Sequence, residues 1–222
     1  MKKLIAIGCS YTEDCYEFPV WPTLLAERLD MDCVNLAHGG SGNKQMLAKI
    51  LDTVLKEKNI GLVVVMWSQF QRFDFQRSDG QWVTLYPPLD KACSMGVCNL
   101  QSLNDTHSAT QDALRIFIFA ENLLKDIPHL QIQGIHPIQK SYRILAAKSL
   151  IDSSYFDYIE KNMSKCFMGW PIFSGLGGYC WDSFLDKVDP ERNQLRISKE
   201  DLHPNGKAHE MITQKIYNRL IK

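Results

Sequence analysis

An α/β fold, a three-layer sandwich with a mostly parallel central sheet, is predicted by three features of the sequence. The apolar runs Leu4 to Ile7 and Ile60 to Trp67 are rich in β-branched residues, have the length of strands and lack a polar face. Between them lie two segments with apolar residues at helical spacing: Leu24, Leu25 and Leu29, then Met46, Leu47, Ile50, Leu51, Val54 and Leu55. Strands alternating with helices are the signature of βαβ units, whose right-handed crossovers bring the strands' C-terminal ends to one rim.

The elements follow in order. The first strand runs into Gly8-Cys9-Ser10, where glycine permits a sharp bend and alternation points Cys9 into the core. Trp21 to Leu29 is a helix with Pro22 in its first turn. Asp32 to Ala37 is a short second strand, ended by the glycine cluster Gly39-Gly40-Ser41-Gly42-Asn43, and a second helix follows. Residues 70–105 are irregular, which in a domain of this kind suggests a lid or binding loop. Thr106 to Asp126 resumes helical spacing, and Leu130 to Ile135 is a fourth central strand. Two helical pieces and a loop rich in glycine and aromatics are expected between Ser141 and Val188, with a loop-rich segment about 163–193. Pro204 opens a last helix with Met211, Ile212, Ile216, Leu220 and Ile221 on one face.

The chain has 222 residues, the size of a single domain, and its 25 acidic residues balance 25 basic ones. No run of like charge suggests a nucleic-acid arm or a polybasic membrane anchor. The apolar part of the N-terminus is shorter than the roughly 7–15 residues of a signal peptide. An odd count of cysteines, seven, suits free thiols in a reducing cytoplasm, and Cys93 and Cys98 lack a second pair at zinc-site spacing. No cofactor or metal is implied.

Chemistry collects at Ser10 and at Glu200-Asp201-Leu202-His203-Pro204. A serine just past a strand is either a helix cap or a nucleophile. A histidine two residues after a carboxylate is either loop surface beside a capping aspartate or a base whose tautomer that carboxylate fixes. Taken with the glycine cluster, these stretches resemble the SGNH (GDSL-like) serine hydrolases along essentially the whole chain. Gly8-Cys9-Ser10-Tyr11 is similar to the family's nucleophile block, Asn35 to Gly40 to its glycine block, and the His203-Pro204 turn to its C-terminal block. The Gly39–Asn43 extension and Trp21-Pro22-Thr23 look most like bacteriophage members.

The resemblance implies a flavodoxin-like sheet and hydrolysis of a carboxylic ester, by an esterase or O-deacetylase acting on a small or carbohydrate-linked acyl group. It implies Ser10 as nucleophile, His203 as base and Gly40 as oxyanion donor. Two departures leave alternatives open. The family's Gly-x-Asn-Asp block is replaced by Trp67-Ser68-Gln69-Phe70, so the third oxyanion donor is Gln69, with Ser68 and Gln71 as rivals. The orienting acid is Asp201 or, at the family's usual spacing, Glu200. His209 is expected to pack or cap. Trp67, Phe70, Phe73, Phe75 and Trp82 are expected in the core, a lid or a substrate cleft, and Arg72 in a surface ion pair or on an anionic substrate group. A scaffold of this kind that binds a ligand without turnover is the competing reading. A nucleotide-binding domain is a weaker one, because the Gly-x-Gly-x-x-Gly order and a Walker lysine are missing.

Overall fold

The structure is a computed structural model that describes residues 1–86 and 105–221. Its central sheet consists of β1 (Lys3–Ile7), β2 (Asp32–Asn35), β3 (Ile60–Trp67), β6 (His129–Gln133) and β7 (Phe167–Met168). All neighbours are parallel, in the order β2-β1-β3-β6-β7. The described helices are α1 (Trp21–Leu29), α2 (Asn43–Lys56), α3 (Thr106–Leu124), α4 (Arg143–Ile151), α5 (Ser154–Asn162), α6 (Trp181–Val188) and α7 (Gly206–Leu220).

The unbroken apolar runs form the inner strands, as expected of strands covered on both faces. Leu4 to Ile7 and Val63 to Trp67 are fully buried. Because β2 and β3 lie on opposite sides of β1, right-handed crossovers put α1 and α2 on opposite faces. α1 packs with α7, and α2 with α3, against which α4 and α5 also stand. The reversal of strand order places a crevice beyond the C-terminal ends of β1 and β3.

Several expectations need correction. The second strand is shorter than expected and ends at Asn35, whose side chain accepts from the Ala37 N–H at 3.1 Å, while the Leu36 N–H still donates to the Ala6 carbonyl at 2.8 Å. Leu51 and Leu55, counted on the buried stripe of α2, are exposed, and so is Ile221 beyond α7. Pro204 precedes α7 rather than opening it: Asn205 is the cap and accepts from the Ala208 N–H at 3.2 Å. Between Ser141 and Val188 stand three helices, α4 to α6, and the short edge strand β7. The segment read as irregular contains an antiparallel hairpin, β4 (Phe73–Gln76) with β5 (Trp82–Leu85). Residues 87–104 of that insertion, including Cys93 and Cys98, lie outside the described residues. No described helix is long and apolar enough to cross a membrane.

His209 joins the two helices of one face. Its Nδ1 accepts the N–H of Trp21, the first residue of α1, at 3.1 Å. Val20 offers that helix no side-chain cap, so the imidazole supplies the acceptor. The ring is fully buried, and burial lowers its pKa to about 4. The unfolded chain therefore takes up a proton near pH 6.5 that the fold refuses, and stability falls as pH drops from there towards 4. A depression of this size is worth about 3 kcal/mol. Urea denaturation at pH 7 and pH 4.5 is expected to show this loss, and His209→Gln, which keeps an acceptor without the titration, is expected to flatten it.

Candidate active site

The turn after β1 is held by Cys9, whose carbonyl accepts from the N–H groups of Thr12 and Glu13 at 2.9 and 3.0 Å. A Cβ at Gly8 would run into the Thr12 side chain, so the tightness of the bend requires glycine. Cys9 points into the core and is fully buried, which leaves Ser10 half-buried at the rim. The hydroxyl of Tyr16 donates to the Ser10 carbonyl at 3.2 Å.

The histidine turn reaches the same place from the other end of the chain. The Ile197 N–H donates to the His203 carbonyl and the Ser198 N–H to the Asp201 carbonyl, both at 3.0 Å, closing a compact loop before α7. His203 Nε2 lies 2.9 Å from Ser10 Oγ, and His203 Nδ1 lies 2.6 Å from Asp201 Oδ1. The same carboxylate oxygen accepts the His203 backbone N–H at 3.0 Å. That backbone bond, and then the imidazole, hold the Asp201 carboxyl below the usual carboxylate range. With Nδ1–H donating to Asp201, Nε2 is left as an acceptor for the serine hydroxyl. Glu200 faces elsewhere, accepting from the Ser198 hydroxyl at 3.0 Å.

Beneath this turn is a buried guanidinium that inspection of the sequence passed over. Arg196, 4 % exposed, donates to the Tyr11 hydroxyl at 2.9 Å, to Asp182 Oδ1 at 3.0 Å and to the Leu202 carbonyl at 2.8 Å. Its other terminal nitrogen donates to Asp186 Oδ1 at 2.9 Å. Tyr11 in turn donates to Asp182 at 2.5 Å. Tyr11 follows Ser10 and Leu202 precedes His203, so one cation ties the serine's neighbour to the histidine's. The available signal was a lone arginine between Leu195 and Ile197, an alternation that places its side chain opposite theirs.

The glycine block is stitched to the first turn. Asn35 Nδ2 donates to the Thr12 carbonyl at 2.6 Å and the His38 N–H to the Gly8 carbonyl at 3.2 Å. His38 to Ser41 closes as a turn with Gly40 at φ +82°, a conformation that suits glycine, and the Tyr86 hydroxyl lies against it. Among the described residues, neither the Ser10 nor the Gly40 N–H has a backbone partner. After β3, the Ser68 N–H is taken by Asn43 Oδ1 at 2.9 Å and Ser68 is fully buried, whereas Gln69 is half-buried. Asp74 on the hairpin caps α2 from outside, accepting from the Gly42 and Gln45 N–H groups at 3.0 and 3.1 Å.

By sequence, no family model matches the chain, and no curated protein does at a significant level. Solved structures do match it along nearly its full length. The psychrotrophic esterase EstA of Pseudoalteromonas sp., inhibited by monoethylphosphonate, gives a TM-score of 0.54 at 14% identity, covering 100% of this chain and 97% of that one. A member of the lipolytic G-D-S-L family from Veillonella parvula gives 0.51 at 11%, covering 98% and 97%. A carbohydrate esterase of family 3 from Talaromyces cellulolyticus gives 0.51 at 11%, covering 100% and 97%. The fold is that of the SGNH (GDSL-like) hydrolases. At such identities the likeness speaks to the fold alone.

In this SGNH fold the rim beyond β1, β2 and β3 carries Ser10, the Gly40 turn and Gln69 respectively, with the His203 turn entering from the α7 side. The aromatics divide. Trp67 and Phe70 pack on Phe117 in the core, while Phe75 on the hairpin is exposed. Arg72 makes no ion pair among the described residues; it donates to the Ser41 carbonyl at 2.9 Å and lies over the Tyr86 ring, bracing the Gly40 turn.

Proposed function

We propose that the protein is a serine hydrolase that cleaves a carboxylic ester through an acyl-enzyme. The observation that carries this reading is the relay from Ser10 Oγ to His203 Nε2 at 2.9 Å and from His203 Nδ1 to Asp201 at 2.6 Å. His203 takes the Ser10 proton as Oγ attacks the ester carbonyl, and Asp201 stabilises the imidazolium that forms. The oxyanion is held by the N–H groups of Ser10 and Gly40, with the side-chain amide of Gln69 as third donor. The protonated imidazole then gives its proton to the leaving alcohol. A water deprotonated by the same ring resolves the acyl-enzyme and restores the serine.

The substrate is a small or carbohydrate-linked acyl ester. Support comes from the EstA and carbohydrate esterase structures, whose own names carry ester cleavage, on the same fold. A fluorophosphonate probe is expected to add once per chain, with peptide mapping placing the adduct on Ser10, and a short-chain aryl ester is expected to be turned over. Labelling elsewhere, or neither labelling nor turnover, would overturn the reading in favour of a ligand-binding protein.

A further inference from the structure

On the far side of the sheet from Ser10, at the rim where the strands begin, three side chains of metal-ligating type converge. Glu121 comes from the last turns of α3, His129 opens β6, and Cys166 immediately precedes the edge strand β7. One donor atom from each lies within 4.8 Å of the other two. We propose that Glu121, His129 and Cys166 form a binding site for a borderline-soft divalent cation, with Zn²⁺ the ion such a donor set favours.

The hydrogen bonds around these residues point to an ion. His129 Nδ1 lies 2.8 Å from the Ile127 carbonyl, so Nδ1 carries a proton and Nε2 points inward. Nε2 faces Glu121 Oε2 at 2.9 Å. A neutral ring would there set a lone pair against a carboxylate lone pair, so the contact requires positive charge between them: a proton or a metal ion. The carboxylate is itself oriented. Gln131, fully buried, receives the Trp67 indole N–H on Oε1 at 3.0 Å, which forces its Nε2 towards Glu121 Oε2, also at 3.0 Å. A histidine fixed by a carbonyl and a carboxylate fixed by an amide are the outer contacts that metal ligands characteristically have. The Cys166 sulfur, within 4.8 Å of both donor atoms, is the feature that favours the metal. An imidazolium–carboxylate pair has no use for sulfur, whereas a thiolate completes three protein ligands and leaves one tetrahedral position for water.

The side chains are sheltered rather than sealed, with His129 5 % and Glu121 18 % exposed, so an ion can enter. Such an ion would fasten β7, a strand of only two residues, to α3 and β6. The three residues are too far apart in the chain to read as a motif, which is why the cysteine spacing gave no hint of them.

The test uses Co²⁺ and Zn²⁺ with the whole chain. A variant with Cys15, Cys33, Cys93 and Cys98 each changed to Ser removes the exposed thiols and those outside the described residues. It is expected to bind a single Co²⁺ with a thiolate-to-cobalt charge-transfer band that Zn²⁺ abolishes. Adding Cys166→Ser is expected to remove the band, and His129→Gln to weaken binding by at least about 10-fold. In the wild-type protein, which carries no folding risk, Zn²⁺ is expected to slow iodoacetamide alkylation of Cys166 while leaving Cys15 unaffected. A missing band, a band that survives Cys166→Ser, or no protection of Cys166 would leave only an imidazolium–carboxylate pair and overturn the proposal. None of these readouts involves Ser10 or turnover.

Discussion

Ser10→Ala is expected to lower turnover of a short-chain aryl ester by about 10⁴- to 10⁶-fold, and Asp201→Asn by about 10⁴-fold, while Glu200→Gln leaves it nearly unchanged. Removing Oγ removes the attacking atom, and the residue of rate comes from the oxyanion donors and binding alone. The asparagine at 201 acts differently. Its amide can present N–H to His203 Nδ1, which stabilises the tautomer with the proton on Nε2, where it blocks acceptance from Ser10. Nor can it stabilise the imidazolium. Glu200 bonds only to Ser198 on the exposed side of the turn and has no path to the ring. Steady-state kinetics on the three variants, each checked for native circular dichroism, separates the roles. An Asp201→Asn enzyme as active as wild type, or a Glu200→Gln enzyme crippled instead, would reassign the orienting acid. Full turnover by Ser10→Ala would remove the mechanism altogether.

The order of strands and helices in the first 67 residues was legible because β1 and β3 are buried on both faces, and a strand buried on both faces has no polar alternation to obscure it. The placement of Ser10 and the Gly40 turn on one rim was legible for a related reason, since parallel topology sends each strand's end there, whereas the His203 turn follows no strand of the sheet and was marked only by the family resemblance. What the sequence hid are contacts made at long range by residues of ordinary local appearance. Asp74 looks like a turn aspartate, yet its carboxylate caps a helix that begins at Asn43. Asn43 looks like the tail of a glycine cluster, yet it straps the Ser68 backbone after β3. Pro204 was misplaced because proline suits both the first turn of a helix and the residue before its cap, and only the Asn205 side chain decides. Between Glu200 and Asp201, sequence spacing favoured the one and side-chain length the other. The 2.6 Å contact belongs to Asp201.

Arg196→Met is expected to cost about 3–5 kcal/mol of stability and to lower kcat by about 10²-fold with KM little changed. The first effect follows from burial: Asp182 would lose its guanidinium partner, and Asp186 would keep Arg192 and His136 but lose the buried cation, with an apolar side chain in its place. Burial alone pushes Asp186 up, but its bonds to Arg192 and Arg196 outweigh this and hold its carboxyl below the usual range. In the native protein that contribution is therefore complete above the ordinary carboxylate pKa and is lost as pH falls through the lowered folded value. The second effect follows from connectivity. The guanidinium grips Tyr11 beside the nucleophile and the Leu202 carbonyl beside the base, so it sets the distance over which Ser10 and His203 meet. A shift of about 1 Å there is enough for a loss of this size, and since Arg196 does not line the rim, substrate affinity has no reason to follow. Arg196→Lys should recover part of the stability, because an ammonium can satisfy one carboxylate. It should recover little of kcat, because a single point charge cannot hold Asp186 and the Leu202 carbonyl together. Urea denaturation with kinetics on both variants distinguishes a positioning residue from a merely structural one. In the structural case Arg196→Met would be less stable yet, once folded, would keep the wild-type kcat.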